Sequence, residues 1–246
     1  NISIVEDLYR ERFSKIFHLV PFYDGDRPNV IPVYENSFYF QGYLAQGLKH
    51  FFKPEFEHYL FIADDLILNP VINEGNYRHH LGLYDGSSFI PNFISLHEMK
   101  NYWSRTREAY EFTIKKKGVE IVNELPSCDE ALARFRAHDL EIRPLRHRQV
   151  FPSPGLSSGD WLRMIARKQR QLFHLLTDGV MKWKYNLSYP LAGSYSDICA
   201  VSAGTVRRFA HCCGVFAAAG LHAELAIPTS LVLSSGHIVT EKDLSL

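Results

Sequence analysis

Residues 58–70, HYLFIADDLILNP, decide how the chain is read. Tyr59, Leu60, Phe61 and Ile62 form an apolar run of β-formers, long enough for one buried strand. The run stops at two adjacent carboxylates, Asp64 and Asp65, resumes over 66–68, and breaks at Asn69-Pro70. Two acids in so apolar a segment are costly unless something positive meets them. A divalent cation at the carboxyl end of a central strand would meet them, because α/β sheets place their ligands at that end. A plainer reading has one aspartate capping a turn and the other facing water. The pair alone leaves both readings open.

Working toward the N-terminus, residues 37–52, SFYFQGYLAQGLKHFF, read as an aromatic-rich helix capped by Asn36 or Ser37. Residues 15–21, KIFHLVP, read as a strand, and 23–32 as a turn-rich loop with Asp24-Gly25 and Arg27-Pro28. Ile4, Val5, Leu8, Tyr9 and Phe13 have helical spacing. Strand, helix, strand is a βαβ crossover. It predicts an α/β fold with a mostly parallel central sheet flanked by helices.

Working toward the C-terminus, RHHLGLYDGSS reads as a strand or loop around Asp85-Gly86. Residues 97–116 read as a long surface helix, 129–137 as a second helix, 144–160 as a proline-containing loop and 161–177 as a strong helix. A mainly helical insertion at about 97–180 is therefore expected inside a single domain of 1–246. In 189–202, YPLAGSYSDICAVS, a loop leads into a strand, with Asp197 just ahead of it. Residues 205–220 read as a helix, 227–233 as a strand, and the polar tail carries His237.

Composition sets wider bounds. Hydrophobic residues make up 46% of the 246 and charged ones 22%, which suits a soluble globular protein with a sizeable core. Lysine plus arginine equals aspartate plus glutamate, 27 each, so net charge argues for neither nucleic acid nor an anionic membrane. Four cysteines without CxxC spacing predict reduced thiols, no zinc site and a cytoplasmic, at most membrane-peripheral, setting. Neither a signal peptide nor an apolar run of spanning length is expected. The chain opens on NISIVEDLYRERF without an initiator methionine, which reads as a fragment or as a chain lacking its first residues. No P-loop, G-x-G-x-x-G or G-x-S-x-G occurs, which speaks against an ATPase, a dinucleotide enzyme or a serine hydrolase of that type.

Three lines, FIADDL, GSYSDICAVS and HAELAIP, give the chain an arrangement that resembles nucleotide-sugar-dependent glycosyltransferases of the GT-A fold. The resemblance covers most of residues 15–240. It implies transfer of a sugar from a UDP- or GDP-sugar donor to a glycan or glycolipid acceptor, as in polysaccharide biosynthesis, assisted by Mn²⁺ or Mg²⁺. The family motif is Asp-x-Asp, or a variant with one acid lost. Here it reads Ala63-Asp64-Asp65, which weakens the expectation of tight metal binding. Asp65 would be the direct metal ligand, Asp64 would hold metal-bound water or the donor, and His237 would complete the metal shell. Glu224 is the first choice for the general base of an inverting reaction and Asp197 the second; a retaining reaction would need none. Pro21, Phe22 and Tyr23 would wall the base, Asp24 would bond base or ribose, and Gln41 and Gln46 would reach the donor.

Each position also has a plainer reading: a tail histidine, a helix-end glutamate, a loop cap, a solvated glutamine. The basic loop of Arg143, Arg146, His147 and Arg148 reads as solvated, or as a contact to phosphate or an anionic acceptor. Two rival functions stay open. One is a metal-dependent nucleotidyl or phosphoryl transferase; the other is a non-catalytic nucleotide-sugar-binding module.

Overall fold

A computed structural model describes residues 1–116, 118–151 and 184–244. In chain order the elements are α1 (Ile2–Tyr9), β1 (His18–Pro21), β2 (Val30–Val33), α2 (Gln41–Phe51), β3 (His58–Ile62), α3 (Tyr77–His80), β4 (Ser87–Phe89) and α4 (Ser104–Glu111). Then come α5 (Cys128–Ala137), β5 (Leu145–Arg146), α6 (His147–Val150), β6 (Lys184–Tyr185), β7 (Ile198–Ser202), α7 (Ala203–Ala218), α8 (Ala223–Ser234) and β8 (His237–Val239).

The strand at residues 58–62 forms where its apolar run lies, and the helix after it in the reading order of the N-terminal half also forms. Asn36 accepts a hydrogen bond from the Phe38 N–H and starts a 3₁₀ turn, Ser37–Tyr39, which runs into α2. The sheet itself differs from expectation. Its order is β3-β7-β4-β8; β7 runs antiparallel to both β3 and β4, and only β4 and β8 are parallel. β1 and β2 pair in parallel, but as a separate two-stranded ladder. The described strands therefore make an α/β fold with a mixed sheet, not the mostly parallel one. Every residue of β7 is buried, and a strand covered on both faces reads as the same continuous apolar run whichever way it points.

A second correction concerns residues 227–233, expected as a strand and found inside helix α8. All residues from Leu225 to Leu233 are buried, so α8 is apolar all round and has no amphipathic stripe to announce it. The expected long helix over 97–116 is instead a 3₁₀ turn at Leu96–Glu98, then α4, then another 3₁₀ turn at Ile114–Lys116. The backbone leaves the helix at Phe112, which is extended at φ −66° and ψ 134°. The helix expected at 161–177 lies outside the described residues.

Helices α7 and α8 form the middle layer. On one side Val206, Phe209, Cys213, Ile227 and Leu231 pack against β3, β7 and α2. On the other, Phe216, Leu225, Val232 and Leu233 share a core with Phe112, Phe135, Leu145 and Val150. None of the four cysteines is in a disulfide, and Cys199, Cys212 and Cys213 are buried in these cores. Among the described residues, no helix is long and apolar enough to cross a membrane.

Candidate active site

Antiparallel pairing creates the site. Ile62, the last residue of β3, lies opposite Ile198, the first of β7. The chain leaving β3 and the chain entering β7 therefore meet at one edge. The Ala63 N–H donates to the Asp197 carbonyl at 2.7 Å, which sets Asp64 and Asp65 beside Asp197. All three aspartates are exposed. Beyond the pair, α1 secures the chain. The Arg12 guanidinium donates to the carbonyls of Asn69 and Ile72 at 2.6 and 2.8 Å, and the Tyr9 hydroxyl accepts from the Leu68 N–H at 2.9 Å.

Glu224 joins from the first turn of α8 through a consequence of Pro228. Proline has no N–H, so the carbonyl four residues earlier loses its helical donor. That carbonyl belongs to Glu224, and it accepts instead from the Ser194 N–H at 2.9 Å. The loop carrying Asp197 is thereby tied to the helix carrying Glu224. His222 caps α8, its Nδ1 accepting from the Glu224 N–H at 3.3 Å. Burial, then Arg105, lowers the His222 pKa, which favours the neutral ring that this cap requires.

Arg105 on α4 orients the Glu224 carboxylate. Its Nε donates to Glu224 Oε2 at 2.9 Å and its Nη1 to Glu108 Oε2 at 3.1 Å. The other Glu108 oxygen accepts from the His222 N–H at 2.6 Å. Glu108 thus clamps both the arginine and the start of α8. Around this core stand aromatic walls: Trp103 against the exposed Tyr195, with ring centres 6.2 Å apart, and the exposed Phe38 edge-on to His222 at 5.8 Å. Gly193 lets the Trp103 ring in, since a Cβ there would come within 2.7 Å of it.

Asp197 feels its surroundings. The Asp197 pKa is raised, first by burial and then by the charges of Asp65 and Glu224. Asp197→Asn should therefore raise the melting temperature near pH 7.5. A carboxyl whose folded pKa exceeds its unfolded one penalises the native state once both states ionise, and the penalty disappears below the unfolded pKa of about 3.9. Melting curves at pH 7.5 and pH 4 check this: the gain of the variant should shrink toward the lower pH. A gain as large at pH 4 would contradict the electrostatic cause.

The remaining residues singled out in the sequence divide. Asp64 accepts from the Asn1 side chain at 3.0 Å, and Asp65 has no cationic partner among the described residues. Pro21 ends β1 opposite Val33 of β2, and no described contact joins Pro21 or Asp24 to the carboxylates. Tyr23 folds over its own loop, its hydroxyl accepting from the Arg27 N–H at 3.3 Å. Gln41 does not face a ligand: it is fully buried and donates to the Leu221 carbonyl at 2.7 Å, fixing α2 to the turn before α8. Gln46 accepts from the Tyr34 N–H at 2.7 Å.

His237 must be corrected. It lies opposite Ser87 on β8, level with His58, the start of β3. That is about 13 Å along the strands and about 14 Å across three strand spacings from the end where β3 meets Asp64. It cannot share an ion with Asp65. The tail position placed it after the last helix, but strand direction took it to the opposite end of the sheet.

Among the described residues no group of three or more His, Cys, Asp or Glu side chains could hold a metal. The residues present do not form an all-protein cage. Two adjacent exposed carboxylates are a hard oxygen donor set that fits Mg²⁺ or Mn²⁺ arriving with phosphate oxygens and water. Arg105, Glu108, His222, Trp103, Tyr195 and Phe38 escaped the sequence reading. Pro228 was the one signal available, since a proline inside a helix frees a carbonyl for a distant donor. Comparison with family models, with curated proteins and with solved structures yields no match to this chain.

Proposed function

We propose that the chain is a glycosyltransferase that moves a sugar from a nucleotide-diphosphate donor to a hydroxyl acceptor with inversion at the anomeric carbon. One observation carries the reading: backbone bonds tie the end of β3, with Asp64 and Asp65, to the Asp197 segment through the Ala63 N–H, and that segment to the first turn of α8, with Glu224, through the Ser194 N–H, so acids from three distant segments gather in one region. Asp64 and Asp65 take the donor side, at the end of β3. The GT-A-like order along the chain of an acid-tipped strand, the GSYSDICAVS segment and a late glutamate supports the same assignment. A divalent cation held by Asp65 would neutralise the leaving diphosphate.

On the acceptor side, Trp103, Tyr195 and Phe38 offer exposed or half-buried ring faces on which a sugar ring can lie. Glu224 takes the proton of the acceptor hydroxyl as its oxygen attacks the anomeric carbon. Arg105 holds Oε2 of Glu224, leaving Oε1 to meet the hydroxyl. Asp197 is the alternative proton acceptor, and a specific observation favours keeping it: burial and neighbouring charge make its carboxyl more basic than an ordinary aspartate.

Calorimetric titration with UDP and with GDP, each with Mn²⁺ and with EDTA, tests the reading. Wild type should bind one nucleotide only with the metal, and Asp65→Asn should weaken that binding by about tenfold or more, the loss of one charge-assisted contact. Failure of both nucleotides to bind under any condition would reject the donor assignment.

A further inference from the structure

We propose a second ligand site: the groove beside β5 and α6 binds a phosphoryl group. It has a volume of about 310 Å³ and is walled by Lys100, Arg143, Arg146 and Arg148, together with His97, Glu98, Met99 and Gln149. It belongs to the helical segment and shares no residue with the carboxylate cleft.

The groove has a fixed frame. Gln149 is 1% exposed, and its side chain is fully used. Its Nε2 donates to the carbonyls of His97 and Met99 at 2.7 Å each, and its Oε1 accepts from the Arg146 N–H at 2.7 Å. The backbone bearing Lys100 is thus joined to the backbone bearing Arg146 and Arg148. The backbone that carries these exposed cations is thereby held in place.

Charge is concentrated there beyond what the protein's own acids balance. Arg146 stands directly opposite Lys184 in the antiparallel pairing of β5 with β6, and both are exposed. Like charges in that register repel. Arg143 is neutralised by Glu141. Lys100, Arg146, Arg148 and Lys184 have no carboxylate within ion-pair distance among the described residues. The whole chain has a formal net charge of zero, so this excess is local.

A dianionic tetrahedral group fits that excess better than a carboxylate. Guanidinium forks present paired donors that match phosphoryl oxygens, and two negative charges can engage two or more cations at once. The phosphoryl group could come from a soluble molecule or from a lipid headgroup; the chemistry recognised is the same.

The test is calorimetric titration of the full chain with inorganic pyrophosphate in EDTA, so that metal-dependent binding at the carboxylates does not contribute, against sodium chloride of equal ionic strength. A parallel arm sediments the protein with vesicles of phosphatidic acid or of phosphatidylcholine. Saturable pyrophosphate binding in wild type and in Asp65→Asn, weakened about tenfold or more in Arg146→Gln/Arg148→Gln, supports a soluble phosphoryl ligand. Sedimentation with phosphatidic acid alone, lost in the same double variant, supports a lipid-borne one. If the double variant melts early, Lys100→Gln and Arg148→Gln singly replace it. No saturable binding in either arm, equal binding by the variants, or an equal response to chloride would overturn the proposal. Loss of binding in Asp65→Asn alone would instead place the phosphate in the carboxylate cleft and overturn it as well.

Discussion

Glu224→Gln is expected to lower turnover of the proposed transfer reaction by about 10²–10⁴-fold while leaving nucleotide affinity within about twofold, the loss of one positioned general base. The substitution keeps the size of the side chain and an oxygen for Arg105, whose Nε reaches Oε2 at 2.9 Å. It removes only the ability to hold a proton at the oxygen facing the acceptor. The His222 cap and the bond from the Ser194 N–H to the Glu224 carbonyl involve backbone atoms of residue 224, so they survive the change. A fall in kcat without a rise in KM for the donor is the signature of an interaction made in the transition state. Asp197→Asn separates the two carboxylates. If Glu224 is the base, Asp197→Asn keeps the rise of rate with pH, and Glu224→Gln abolishes it. If Asp197→Asn takes the larger loss and flattens that rise, the proton goes to Asp197. Full activity in both variants would remove base catalysis from this site.

Phe209→Ala should cost about 3–5 kcal/mol of folding stability. That is a large part of the 5–15 kcal/mol typical of a domain. Phe209 on α7 is fully buried, and its ring lies 5.9 Å from that of Phe61, tilted by 24°. Phe61 belongs to β3, in turn packed among Phe51 and Tyr59. The ring of Phe209 therefore supports from behind the strand that delivers Asp64 and Asp65. Urea unfolding should show a much lower midpoint with an unchanged slope. Phe38→Ala, at a side chain 62% exposed, should stay within about 0.5 kcal/mol of wild type. A cost below 1 kcal/mol at Phe209 would mean that α7 does not seat on β3 as described. The nucleotide titration and the phosphate titration address the two ligand sites separately.

Much of the local structure was legible in the chain. The apolar run 59–62 is a strand, and the acids follow it at its end. Asp197 stands one residue ahead of β7, as the pattern GSYSDICAVS suggests. Asn36 caps the helical stretch that begins at Ser37, because a short side chain with an acceptor oxygen can reach the N–H two residues on. The helix expected over 205–220 forms over Ala203–Ala218. The residues of the candidate site were only partly legible. Asp64, Asp65, Asp197 and Glu224 could be chosen as acids beside apolar runs. Nothing near Arg105 says that it will meet Glu224, and nothing near Gln41 says that it will be buried against Leu221.

The sequence by itself determined where the chain is extended or helical in its well-patterned stretches, and which acids sit at the ends of those stretches. These are properties of near neighbours: backbone preference, side-chain period and capping reach only a few residues. Tertiary structure alone decided direction and partnership. It turned β7 antiparallel to β3, which brought Asp197 beside Asp65. It carried His237 to the far end of the sheet, and it buried the helix 223–234 on nearly every side, which leaves no amphipathic signal to announce it. It also supplied the Ser194 N–H to the carbonyl that Pro228 left without a donor. Proline fixes that a carbonyl will be free; only the closing of long loops by the core fixes which donor fills it.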